Sequence, residues 1–85
     1  MSEIGRAKPA ILVIEDSETV LRQTLMFLAD LGFAADGARS GADAASVMAR
    51  SAYRIFIVDL TLPDIAGASL IRRIQKQVPD AVIIV

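Results

Sequence analysis

Cysteine and histidine are both missing from this sequence. Without cysteine there is no disulfide, no thiolate zinc site and no thiol nucleophile. Without histidine there is no Ser-His or Cys-His catalytic pair and no imidazole metal ligand. No apolar run approaches the roughly 18–20 residues of a membrane span. The N-terminal MSEIGRAKPA lacks the apolar core of a signal peptide. A cytoplasmic location is the default expectation, with no membrane partner. A net charge of −1 argues against a broad basic surface for nucleic acid. There is no glycine-rich loop to cradle a phosphate. What remains for chemistry is carboxylates, hydroxyls and backbone groups, the oxygen set that hard cations such as Mg²⁺ prefer.

The 85 residues suffice for one small domain, and 54% of them are hydrophobic, so a core can form. A chain of this size buries only about 60–65% of its unfolded surface. Its stability margin is therefore expected to be thin.

The stretch Ile55–Gly67, IFIVDLTLPDIAG, organises the rest. Four apolar residues run straight into Asp59, and a short loop with Pro63 follows, closed by Gly67. Such a run reads as a strand buried on both faces, as in parallel sheets. The carboxylate of Asp59 then falls at the C-terminal end of the strand, where open α/β sheets place their ligands. An aspartyl nucleophile or a metal site needs that placement. A plain turn-capping role for Asp59 is the alternative.

Met1–Pro9 is polar and charged and reads as a flexible lead-in, with the domain proper over residues 10–85. Ala10–Ile14 is a second buried-strand candidate, ending in Glu15-Asp16. Ser17 suits a helix N-cap, with Glu18 in a first turn that favours negative charge. Val20, Leu21, Leu25, Leu28 and Leu31 form one apolar face, and Gly32 sits where a glycine ends a helix. Phe33–Gly37 is a weaker strand, and Asp36 suits an edge position. Ser40 and Asp43 match a capping-box start. A small-residue helix should follow to about Arg50, with Ala45, Met48 and Ala52 buried. A third helix is predicted over about Ala68–Gln77, with Leu70, Ile71, Ile74 and Val78 facing inward. Arg72 and Arg73 belong to its solvated face. Ala81–Val85 is a last buried strand. The order β-α-β-α-β-α-β calls for a parallel sheet with right-handed crossovers. Val85 would leave that strand as an exposed apolar edge. The chain is expected to be a piece of a longer one, or to complete itself by association.

With the first and third strands adjacent, Glu15, Asp16 and Asp59 converge at one edge. Three carboxylates that close repel, and at least one pKa should rise unless a cation intervenes. Mg²⁺ would take one or two carboxylates, a backbone carbonyl (that of Thr61 is in reach) and water. Asp59 could then attack an incoming phosphoryl group in line.

These motifs, ILVIEDS (Ile11–Ser17), IFIVDLTLPDIAG (Ile55–Gly67) and PDAVIIV (Pro79–Val85), resemble the receiver domain of two-component response regulators. The resemblance covers Ile11–Val85. It implies a flavodoxin-like, doubly wound α/β fold with parallel strand order 2-1-3-4-5, here without its fifth strand and last two helices. It implies Asp59 as the phospho-acceptor. It also implies Glu15, Asp16, Asp59 and the Thr61 carbonyl as the Mg²⁺ site, with Asp16 the direct ligand and Glu15 acting through water. Pro63 and Gly67 match the loop positions that shape the rim. The implied partner is a histidine kinase or a histidine phosphotransfer protein.

Three family features have no match, one of them the aromatic switch residue of the fifth strand. The hydroxyl residue expected just past the fourth strand lies beyond Val85, and Lys8 and Lys76, the only lysines, do not occupy the family's lysine position. The chain therefore has the metal half of the family's site without the phosphate-sensing half. The second function is a receiver-like binding module that homodimerises through the exposed fourth strand without phosphotransfer. A third, an enzyme with an aspartyl-phosphate intermediate, conflicts with Thr61. Such phosphatases carry a second aspartate there, and no general acid is evident. The chain is otherwise a signalling phospho-acceptor, not a turnover enzyme.

Overall fold

A computed structural model describes residues 10–85; the lead-in expected over residues 1–9 lies outside the described residues. Four strands and three helices alternate. They are β1 (Ile11–Ile14), α1 (Glu18–Asp30), β2 (Ala35–Ala38), α2 (Gly41–Arg50), β3 (Ile55–Val58), α3 (Gly67–Gln77) and β4 (Val82–Ile84). The strands form one sheet in the order β2-β1-β3-β4, every pair parallel. Each parallel pair needs a crossover, and the helices supply it.

Successive strand residues point to opposite faces, so the sheet has two cores. Leu12 and Ile14 of β1 and Phe56 and Val58 of β3 pack with Ala44 of α2 and with Leu70 and Ile74 of α3. Ile11 and Val13 pack on the other face with Leu21 of α1. Helices thus cover both faces, the doubly wound arrangement. All four residues of β1 are buried: like β3 it has a strand on each side, but α1 also packs directly on it, opposite the core shared with α2 and α3.

Helix signals in the sequence act as expected at most ends. The Ser17 hydroxyl accepts the Val20 N–H, and the Ser40 hydroxyl accepts the Asp43 N–H. Gly32 has φ +92°, and the N–H groups of Gly32 and Phe33 donate to the Ala29 and Leu28 carbonyls. This paired closure ends α1 and consumes the Phe33 amide, so β2 starts at Ala35 instead of Phe33. Asp36 of this edge strand accepts the Tyr53 hydroxyl, tying the α2–β3 connection to β2. Burial, reinforced by Asp36, pushes the Tyr53 phenol above its ordinary pKa.

Several burial expectations are corrected. Val20 and Leu31 are exposed, since only Leu21, Leu25 and Leu28 turn toward the sheet. Ala45 and Ala52 are exposed, while Gly41, Ala44 and Tyr53 are buried. The backbone turns extended at Ser51 (φ −144°), so helical spacing no longer applies at Ala52 and the next residue points inward. The last strand is not buried: Val82 is 55% and Ile84 49% exposed. They lie level with Ile55 and Ile57, on the face where α1 covers β1 and β2 but does not reach β4.

Candidate metal and acceptor site

The parallel register puts Ile14 level with Val58. The next residues, Glu15 and Asp59, therefore leave the sheet at the same edge. Two bonds extend the ladder past the strand ends. The Asp59 N–H donates to the Ile14 carbonyl at 2.9 Å, and the Glu15 N–H donates to the Ala38 carbonyl at 2.9 Å. Carboxylate oxygens of Glu15, Asp16 and Asp59 all lie within 4.8 Å of one another. The convergence expected from the sequence is therefore present.

The three groups do not share one environment. Burial holds the Glu15 carboxyl above its ordinary pKa, and the neighbouring Asp59 adds to the rise. The Ser17 N–H, donating to Glu15 Oε2 at 3.1 Å, works against it. Asp59 moves the other way. The Thr61 N–H and hydroxyl both donate to Asp59 Oδ1, at 3.0 and 2.8 Å, and hold its pKa down. The rise expected for one of the three acids thus falls on Glu15, and Asp59 stays ionised. Two donors on Oδ1 leave Oδ2 as the oxygen that Thr61 does not engage.

Thr61 also contacts the site through its amide and hydroxyl, an interaction the sequence reading, which named only its carbonyl, did not include. The spacing Asp-x-Thr is the available signal, because an aspartate commonly accepts the amide two residues on. Two further residues were missed. Arg39 donates from Nε and Nη2 to the Asp16 carbonyl, at 3.2 and 2.9 Å. Both Asp64 oxygens accept N–H groups from the start of α2, those of Gly41 and Ala42, each at 2.9 Å. No local spacing reveals either, since the partners are 22 or 23 residues apart.

These geometries carry a comparison with known proteins. A profile of the response regulator receiver domain matches residues 11–85. The chain belongs to the receiver domain family. Among solved structures it is similar to the response regulator protein TrrA of Thermotoga maritima, determined in complex with Mg²⁺–BeF. Identity is 28% and the TM-score 0.82, over 89% of this chain and 66% of TrrA. TrrA in complex with the histidine kinase ThkA gives 28% and 0.81, over 89% and 66%. The transcriptional regulatory protein PmrA of Pectobacterium parmentieri is 32% identical over 66 residues, 78% of this chain. The matched stretch is 30% of PmrA's length, so this chain spans less than a third of the curated relatives it matches. The fold is accordingly flavodoxin-like and receiver-type, with four strands among the described residues, and places the chain in two-component signalling. Among the described residues no helix is long and apolar enough to cross a membrane.

Gly67, the first residue of α3, is a close-approach residue. A Cβ there would lie 2.9 Å from the Leu60 Cα and closer still to its side chain. Gly67→Ala is expected to cost about 1–3 kcal/mol, as overpacking does. A lowered urea midpoint at unchanged slope is the check.

Asp64 gives a pH dependence. Its pKa is depressed by the hydrogen bonds it accepts from the Gly41 and Ala42 amides. A depressed folded-state pKa stabilises above the unfolded value, about 3.9, and that contribution disappears as pH falls through the folded value. Melting curves of wild type and Asp64→Asn should therefore differ at neutral pH and converge in acid below both values. A constant gap across pH would rule the cap out.

Proposed function

We propose that this receiver domain accepts a phosphoryl group on Asp59 from a phosphohistidine of a histidine kinase or a histidine phosphotransfer protein. The observation that carries the reading is the pairing of an ionised Asp59, held at Oδ1 by Thr61, with two further carboxylates within 4.8 Å. In the step, an Asp59 oxygen forms a bond to phosphorus. The bond from phosphorus to the donor nitrogen breaks, its electron pair stays on the imidazole, and Asp59 becomes an acyl phosphate. The donor lies outside these 85 residues, which contain no histidine.

Glu15, Asp16, Asp59 and the Thr61 carbonyl would hold Mg²⁺. The all-oxygen donor set fits a hard cation, and three crowded carboxylates fit a divalent charge. Bound there, Mg²⁺ neutralises charge on the transferring oxygens. TrrA, similar to this chain, holds Mg²⁺ with BeF, a tetrahedral stand-in for a phosphoryl group, and meets the kinase ThkA. The domain, residues 10–85, acts as a cytoplasmic phospho-acceptor and does not turn substrate over.

The test is intact mass spectrometry after incubation with acetyl phosphate, in Mg²⁺ and in EDTA. A single phosphoryl adduct that needs Mg²⁺ and is released by hydroxylamine is expected. No adduct on a chain that circular dichroism shows to be folded would reject phosphotransfer. The alternative would then be self-association through β4, whose Val82 and Ile84 are exposed, read by sedimentation.

A further inference from the structure

The site's three carboxylates arise from two loops. The β1–α1 loop carries Glu15 and Asp16, and the β3–α3 loop begins at Asp59. The sheet ladder holds Glu15 and Asp59 but goes no further. Beyond it, Thr61 is bonded to Asp59 and Leu62 and Ile65 pack on the core, which leaves the polar groups at Asp16 and Asp64 to be held by other contacts.

A third loop reaches both. The junction between β2 and α2, Arg39 to Ala42, contributes no carboxylate to the cluster. On one side the Arg39 guanidinium grips the Asp16 carbonyl with two N–H donors, and its Nη1 lies 3.7 Å from Glu18. On the other side the N–H groups of Gly41 and Ala42 take both oxygens of Asp64. Those amides are among the first of α2, which have no partner inside the helix, and a carboxylate is favoured there by the helix dipole. The junction is itself internally braced. The Asp43 carboxylate accepts the Arg39 N–H at 3.1 Å, and the Ser40 hydroxyl accepts the Asp43 N–H at 3.0 Å. One short segment therefore spans the two ligand-bearing loops.

We propose that Arg39 and Asp64 are positioning residues, through which the β2–α2 junction clamps the two acidic loops in the geometry that binds a cation. The inference rests on reading Glu15, Asp16 and Asp59 as a cation site. Its distinguishing feature is a sign. Arg39 is a positive charge beside a cation site, so by Coulomb's law alone its removal would tighten Mg²⁺ binding. Loss of positioning weakens it. Outer-shell partners of metal ligands are typically worth about 10–100-fold in affinity.

The experiment is Mg²⁺ titration of the full chain, followed by the amide resonances of Asp59 and Thr61, for wild type, Arg39→Gln, Arg39→Lys and Asp64→Asn. Circular dichroism checks each fold. Arg39→Gln should bind Mg²⁺ about tenfold more weakly. Arg39→Lys, which keeps the charge without the fork, should also bind more weakly than wild type, and it carries the test if the glutamine variant fails to fold. Asp64→Asn should weaken binding as well. Folded Arg39 variants that bind as tightly as wild type, or tighter, overturn the clamp and leave the cation site standing. A wild type that does not titrate overturns the cation site and this inference with it.

Discussion

Phe56→Ala is expected to remove a large share of the stability of this domain. Phe56 is completely buried at the middle of β3 and stands edge-on to Tyr53, with ring centroids 6.3 Å apart and planes at 69°. It joins β3 to the α2 and α3 side of the sheet, the larger of the two cores. Truncating a buried phenylalanine costs about 3–5 kcal/mol, from lost transfer energy and the cavity left behind. Domains carry roughly 0.05–0.15 kcal/mol per residue, which for this length is about 4–13 kcal/mol in all. Phe27→Ala is the control: Phe27 is 63% exposed on α1, so its loss should stay within about 0.5 kcal/mol. Urea titration by far-UV circular dichroism compares the two. Equal midpoints would mean that the core is not where Phe56 sits.

Asp59→Asn is expected to abolish the phosphoryl adduct while leaving the fold intact. Asparagine has nearly the shape of aspartate and retains an oxygen that can accept the two Thr61 donors now on Oδ1. It lacks the anionic oxygen that attacks phosphorus. It also removes a negative charge beside Glu15, whose carboxyl Asp59 helps to push up. The variant should stay folded, because relief of the charge beside Glu15 offsets the weaker acceptance of the Thr61 donors, and the Glu15 pKa should move back toward its ordinary value. Loss of the adduct with a retained cooperative melt separates a catalytic loss from an unfolded protein. Mass spectrometry and a thermal melt on one preparation suffice. An adduct that persists on Asp59→Asn would place the phosphoryl group elsewhere, with Thr61 and Glu15 the nearest candidates.

Much of the frame is legible in the chain. AILVI and IFIV read as strands because each is apolar throughout and is followed directly by acid, and β1 and β3 are the adjacent inner strands. Ser17, Ser40 and Gly32 announce helix ends through local hydrogen bonding, which needs only neighbours in sequence. The convergence of Glu15, Asp16 and Asp59 follows once β1 and β3 are placed side by side in parallel.

The tertiary structure decided the rest. Whether Val82 and Ile84 are covered depends on how far across the sheet α1 extends, which no property of VII encodes. Tyr53 is buried in place of the expected Ala52 because the chain turned extended at Ser51. Arg39 and Asp64 lie 23 and 22–23 residues from the groups they hold. Strand runs, caps and the acidic triad were determined by the sequence alone, because periodicity and short-range bonding set them. Burial at the sheet's edge and the contacts between its loops were decided only when distant segments packed, because an arginine or aspartate in a loop is chemically able to pair with many partners, and the packed fold selects among them.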